Sequence, residues 1–286
     1  MSPRSTDSGV VLVNVLVILA IAGGLMVLLI SGQEAALDRV ARSADASVAE
    51  RIALGAEASV IDALRRDLDD APDTDHFNEA WAKAVIQDQV TLPTGQFSVQ
   101  ITDLQAKFNI NQLADRTAGT QEFARRLMIA LKLPPETANQ ISRILGAVGQ
   151  VRKVSDLQDF GVAPEAITAL EPYVTALPIA GSINLNSVDP FLLNVMLRNQ
   201  GQAAQLVRIR ERRGSLSLAA LRNVGALRPQ NSGFTSHAYL VDILAQAGRA
   251  QIKMQSLILR ENARGTKAVD LFERRFIHDQ PDPATE

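Results

Sequence analysis

From Val10 to Ile30 the chain reads VVLVNVLVILAIAGGLMVLLI, without a charged side chain. A helix of that length rises about 30 Å, the thickness of a bilayer's hydrocarbon core. A secretory signal has a shorter apolar region, about 7–15 residues, followed by a small-residue cleavage site. Here the run passes without a proline into more helical sequence. From Gln33 to Asp70 the apolar residues Leu37, Ala41, Ala44, Val48, Ile52, Val60, Leu64 and Leu68 recur at three- or four-residue steps or their multiples, between charges such as Arg39, Asp45 and Glu50. That is the period of one helical face. The spacing predicts a single helix of about sixty residues, a rod of roughly 90 Å, with a membrane span at 10–31 and an amphipathic half at 32–70.

The rest of the chain must bury a core of its own. Its 286 residues, 47% apolar and 21% charged, suit one large domain or two modest ones. A net charge of -2 and a pI near 6.0 give no general drive toward nucleic acid or anionic lipid, so an electrostatic partner must meet a local patch. With no cysteine, disulfides, thiolate metal sites and a cysteine nucleophile are excluded. The sequence has no G-x-S-x-G elbow, P-loop, H-E-x-x-H or G-x-G-x-x-G, and His76, His237 and His278 are far apart. These absences point away from an enzyme.

After the acidic stretch DDAPDTDHFNEAW, Phe97, Val99 and Ile101 alternate with polar neighbours, the period of a half-buried strand. Pro93 and Gly95 punctuate its start. Alternation returns at Tyr239, Val241 and Ile243, then at Ile252 and Met254, around a turn near Ala247 and Gly248, and AVDLFERRFI adds a last strand. Between these regions the pattern predicts short helices over 120–133, 135–149, 153–162, 164–174, 189–200, 202–214 and 217–225. Thr120, Ser155 and Ser187 read as N-caps, Pro135 as a first-turn residue, and Gly161 and Gly214 as terminators. The fold class is therefore α+β: a long N-terminal helix, a small antiparallel sheet drawn from 71–110 and 233–286, and a large α-helical insert of helix-hairpin-helix type at 111–232.

Two motifs stand at the joints of this plan. They are DLQAKFNINQL, with Asp103, Phe108, Asn109 and Asn111, and GSINLNSVDPFLL, with Asn184 and Asn186. Together with the glycine-bounded anchor, whose short leader carries Arg4 and ends at Gly9, they resemble the minor pseudopilin K family of the type II (general) secretion pathway. The resemblance runs from Gly9 to the final strands and implies a pilin-like fold. It implies a leader, residues 1–9, that a prepilin peptidase removes between Gly9 and Val10, with methylation of the new N-terminus. It implies a single-pass protein of the bacterial inner membrane, N-terminus cytoplasmic and globular part periplasmic, at the tip of the pseudopilus. There it would initiate pseudopilus assembly and support protein secretion across the outer membrane. The implied partners are other minor pseudopilins of the I, J and H types, the major pseudopilin, the inner-membrane assembly platform, the prepilin peptidase, and secreted substrates or the outer-membrane secretin.

Fifth after the cut, where most of the family carries glutamate, stands Asn14. In pilins the resemblance assigns that carboxylate to the terminal amine of the preceding subunit, and an unpaired charge in lipid is costly. A first subunit has no predecessor, so an amide suits it.

Read from the residues alone, the alternating side chains of I-N-x-N lie on one side of an extended backbone, where amides can bond main-chain groups and cap the next helix. Asn109, Asn111, Asn184 and Asn186 are thus expected as structural staples. No cofactor is expected to be required and no metal site is assigned. The resemblance adds calcium as a candidate, for which Asp73, Asp75, Asn78 and Glu79 offer oxygens without the glycine and spacing of an EF-hand loop. The family's tryptophan- and aspartate-rich stretch is replaced here by ISRILGAVGQVRKVSDL, a trimmed insert.

The alternative reading is a membrane-anchored helix-hairpin-helix protein for DNA binding or uptake. Between Arg198 and Arg228 stand seven arginines and one acid. Such hairpins hold phosphate in a glycine-x-glycine turn at a helix N-terminus, and RNQGQAAQ and NVGALRP supply one glycine each, which argues against nucleic acid as a partner. The arginine run, or the stretch from Glu57 to Asp88 with nine acids against three bases, is expected to help dock neighbouring subunits.

Overall fold

The computed structural model describes residues 7–263 and 266–277. The first helix, α1 (Asp7–Asp70), is continuous over 64 residues. Its large apolar side chains are exposed from Leu12 to Val40, and burial begins at Ala49 and continues through Ile52, Ala53, Ala56, Val60, Ala63, Leu64 and Leu68. Leu37, Ala41 and Ala44, which share the sequence period, stay exposed. The body of the protein ends before them: the hairpin turn at Gly248 and Arg249 meets α1 at Asp45, whose Oδ2 accepts from Arg249 N at 3.1 Å.

Past an acidic loop come α2 (Ala80–Val85) and a hairpin of β1 (Gln87–Leu92) and β2 (Gly95–Asp103). Beyond Asp103 lies the insert: β3 (Phe108–Asn109), α3 (Ala118–Ala130), α4 (Glu136–Val148), α5 (Pro164–Leu170), β4 (Val174–Thr175), β5 (Ile183–Asn184), α6 (Pro190–Leu197), α7 (Gln200–Arg213), α8 (Leu218–Asn223) and β6 (Ser232–Gly233). It is built as two copies of one unit. Each opens on a two-residue strand carrying N-x-N, runs through two helices, and turns at a glycine of positive φ, Gly149 at 81° and Gly214 at 86°. Each closes on a strand parallel to the first, Phe108 beside Val174 and Ile183 beside Ser232. Phe108, Leu127, Ile141, Leu157, Leu192 and Leu206 belong to a single core shared by both copies.

Three sequence expectations shift here. Phe108 and Asn109 pack with the insert, so the boundary with the sheet falls at Asp103 and not at residue 110. The Asp103 side chain accepts from Gln105 N and starts the 3-10 turn Leu104–Ala106 that leads the chain out of the sheet. Thr117 caps α3 in place of Thr120, and Asp189 caps α6 in place of Ser187, because Pro190, with no N–H to offer, occupies the first helical position. Ser155 lies within a 3-10 helix, Val154–Phe160, and caps nothing. Gly161 and Gly214 do terminate their segments, both in the left-handed region, where glycine has no Cβ penalty.

The chain then forms β7 (Ala238–Ala247), β8 (Ala250–Ala263) and β9 (Thr266–Ile277), and the five long strands make one antiparallel sheet in the order β1-β2-β7-β8-β9. β2 and β7 pair without a break from Gln96 and Gln246 to Asp103 and Tyr239. The insert is therefore spliced between two neighbouring strands, and the sheet closes as if it were absent. One face of the sheet, with Tyr239, Val241, Ile243, Met254 and Ile258, packs with Trp81 against the α1 stripe as a second core.

Candidate assembly interface and its buried supports

The most exposed apolar surface of the molecule is the first half of α1, where Asn14 stands exposed between Val13 and Val15. Lipid offers an amide no partner, so in a bilayer such a group turns to its own helix or to another chain. Gly9 and Val10 fall in the first turns of α1, and leader residues 1–6 lie outside the described residues. The second half of α1 is clamped to the edge strand β9. Arg65 Nη2 donates to Val269 O at 2.9 Å, Lys267 Nζ to Leu68 O at 3.1 Å, and Arg274 grips the buried Glu57 carboxylate, its Nε 3.1 Å from Oε1. The rod is thus presented by a fixed body.

The four asparagines of the motifs are all buried, and each works on main chain. Asn109 Oδ1 accepts from Asn111 N and Leu177 N, and its amide donates to Leu177 O and Ile179 O. Asn111 clasps Val151 through both its N–H and its carbonyl. In the second copy Asn184 Oδ1 accepts from Asn186 N, and Asn186 Oδ1 accepts from Leu216 N at 2.7 Å. Val151 and Leu216 each follow a turn glycine, so the second asparagine of either motif fixes the same hairpin turn in its own copy.

Asp103 ties the copies to the sheet. Its Oδ2 accepts from Asn184 Nδ2 at 3.0 Å, Ser236 Oγ at 2.5 Å and Ser187 Oγ. Burial pushes this carboxyl above its ordinary value, against the pull of those hydrogen bonds. Asn184 Nδ2 also reaches Asp75 O at 3.0 Å.

Asp75 opens a second buried centre. Arg260 of β8 donates through Nη1 to Asp67 Oδ2 at 2.9 Å and through Nη2 to Asp75 Oδ2, with its guanidinium 5.8 Å from the Tyr239 ring centroid. Glu79 lies beside them, its Oε2 accepting from Trp81 Nε1 at 2.8 Å and His76 N at 3.2 Å. Burial, with Glu79 nearby, pushes Asp67 up to about 7, although the Arg260 hydrogen bond opposes the shift. Burial also raises Glu79 and lowers His76.

Of the residues the sequence offered for calcium, Asp73 and Asn78 are exposed, and the Asn78 amide donates to Gly214 O at 3.4 Å. They do not fit. Asp75 and Glu79 turn inward and meet Asp67, and one carboxylate oxygen from each lies within 4.8 Å of the others. Asp67 is the residue sequence reasoning missed. Its signal was position, an acid beside Leu64 and Leu68 on the apolar stripe.

No protein-family model matches the chain, and no curated protein matches it. Among solved structures it is similar to a chain of the GspK-GspI-GspJ complex from the type 2 secretion system of enterotoxigenic Escherichia coli, with a TM-score of 0.60 and 17% sequence identity. The likeness covers 84% of this chain and 99% of that one. The matched chain is GspK.

The fold is that of a pseudopilin.

On this pseudopilin fold the two charged stretches behave differently. Within the arginine run, Arg210 turns inward and donates to Leu185 O and Val188 O, while Arg198, Arg208, Arg212, Arg213, Arg222 and Arg228 are exposed. The acidic stretch is no single surface. Glu57, Asp67 and Asp75 are buried and ion-paired, and of the exposed acids Asp62 pairs with Arg66 and Asp69 with Lys267. Much of its formal charge is therefore spent inside the molecule, and the arginine stretch is the stronger docking candidate.

Proposed function

We propose that this chain is a minor pseudopilin of a type II secretion system, anchored in the inner membrane by α1 and placed at the tip of the pseudopilus. It acts by assembly and carries out no chemistry of its own. The likeness over 99% of a chain from a complex with GspI and GspJ carries this reading and supports I- and J-type pseudopilins as its immediate partners.

The shape of the molecule supports the rest of the reading. The exposed apolar half of α1 suits a helix that lies in lipid before assembly and among other pseudopilin helices after it. An insert as large as the sheet would crowd a subunit stacked above it, and a tip subunit has none. Asn14 fits the same place, since the first subunit meets no preceding amine. In this reading the body is periplasmic, assembly starts from a complex of minor pseudopilins, the major pseudopilin extends it, and the platform, the H-type subunit and the secretin are met in turn.

The test is co-expression of the full chain with a prepilin peptidase, followed by N-terminal sequencing. A mature chain beginning at Val10 is expected. A chain still beginning at Met1 would leave a plain membrane anchor as the better description.

A further inference from the structure

We propose that the acidic segment following β9, residues 278–286, docks into a basic cleft between the insert and the sheet face turned away from α1.

The cleft, about 490 Å³, is lined by Leu240 and Leu257 of the sheet and by Val174 and Leu177 of the insert. Along β8 the residues Met254, Ser256 and Ile258 are buried toward α1, and Gln255 and Leu257, between them, are only half-buried. Alternation therefore puts the cleft on the other face. A second hollow of about 420 Å³ shares Arg152, Ala176 and Leu257 with the first and carries it on to Phe272, whose side chain is 55% exposed. Together they form a groove long enough for several residues of extended chain.

The charge in this groove is unbalanced. Lys107, Arg152, Lys153 and Arg275 line the first hollow against only Glu171 and Glu273. Arg275 is paired with Glu273 at 2.7 Å, and Lys107 Nζ donates to Glu171 O at 2.8 Å. Arg152 and Lys153 are left over. Both are exposed, and the neighbouring Asp156 carboxylate is taken up by their main-chain N–H groups, at 3.0 and 2.9 Å.

The chain supplies a segment of the opposite sign close by. After Ile277 the sequence reads HDQPDPATE, with three acids and no lysine or arginine. Pro281 and Pro283 lack an N–H and bias Gln280 and Asp282 toward extended backbone. Such a segment is a poor continuation of the β8–β9 ladder and a good ligand for a groove. Ile277, paired with Lys253, stands two residues beyond Arg275, which is paired with Gln255, so by the strand period it shares the cleft face. The segment thus starts beside the groove, and nine residues at about 3.1 Å each can span roughly 28 Å. A tether that short holds the acids at an effective concentration on the order of millimolar. Surface ion pairs too weak to hold a free peptide are then sufficient.

The chain has no cysteine, so one introduced pair reports the contact. In the full-length protein in detergent, Ser155→Cys in the cleft and Ala284→Cys in the segment should form an intramolecular disulfide under mild oxidation, which requires Cα atoms within about 7 Å. Asp279→Asn, Asp282→Asn and Glu286→Gln together alter neither core and should slow the bridge about tenfold. Arg152→Gln with Lys153→Gln should slow it similarly, and salt should slow it only while the charges are present. A bridge that forms as fast in the neutralised segment would overturn the proposal. So would a bridge found only between two molecules, which would assign the groove to a second copy.

Discussion

Asn184 Nδ2 lies within hydrogen-bonding distance of Asp75 O, Asp103 Oδ2 and Ser236 Oγ, while its Oδ1 takes the Asn186 N–H. Truncation would leave a buried carboxylate short of a donor and a buried N–H without an acceptor. Asn184→Ala should therefore lose about 1–3 kcal/mol in chemical denaturation, and full retention of stability would show that the amide is ornamental. Gly248 holds φ at 50°, and a Cβ there would run into the Asp45 carboxylate. Gly248→Ala should cost at least about 1 kcal/mol by the same assay. The N-x-N pairs are legible in the sequence because an extended backbone puts alternate side chains on one side. Their acceptors are not, since Val151, Leu177 and Leu216 come from distant segments. Asp67 is hidden for the same reason: its partner Arg260 lies 193 residues further along the chain.

At the scale of elements, α1 does two jobs along one hydrophobic period. Leu64 is fully buried in the core against the sheet, and Leu37 is 70% exposed. Leu64→Ala should lower the unfolding free energy by about 2–5 kcal/mol. Leu37→Ala should leave it within about 0.5 kcal/mol and instead reduce the recovery of partner subunits in a pull-down. Equal stability losses in the two variants would erase the distinction between packing stripe and assembly surface. The period itself is readable from the chain. The point where packing starts is not, because it is fixed by where the β7–β8 hairpin ends. β1 escapes sequence reading too: QDQVTL is almost wholly exposed, and it is a strand because Pro93 and Thr94 fold it back onto β2. Most of the insert helices were legible from period, proline and glycine, whereas their caps were displaced by two or three residues where a proline or a nearby threonine supplied better geometry.

For the whole molecule, the decisive arrangement is a two-core body carrying a bare apolar rod. The insert enters and leaves the sheet between paired strands, and Asp103, Asn184 and Arg260 bond rod, sheet and insert to one another. Asn14 gives this plan an orientation. Asn14→Glu should bring no gain in assembly if the subunit is first in line, and a clear gain would place it elsewhere. The most direct measurement is co-purification in detergent of the full chain with I- and J-type minor pseudopilins from one membrane preparation. A stable complex containing all three chains, lost when the apolar half of α1 is disrupted, is the predicted result. A chain that purifies alone while the I- and J-type subunits still associate with each other would contradict the account.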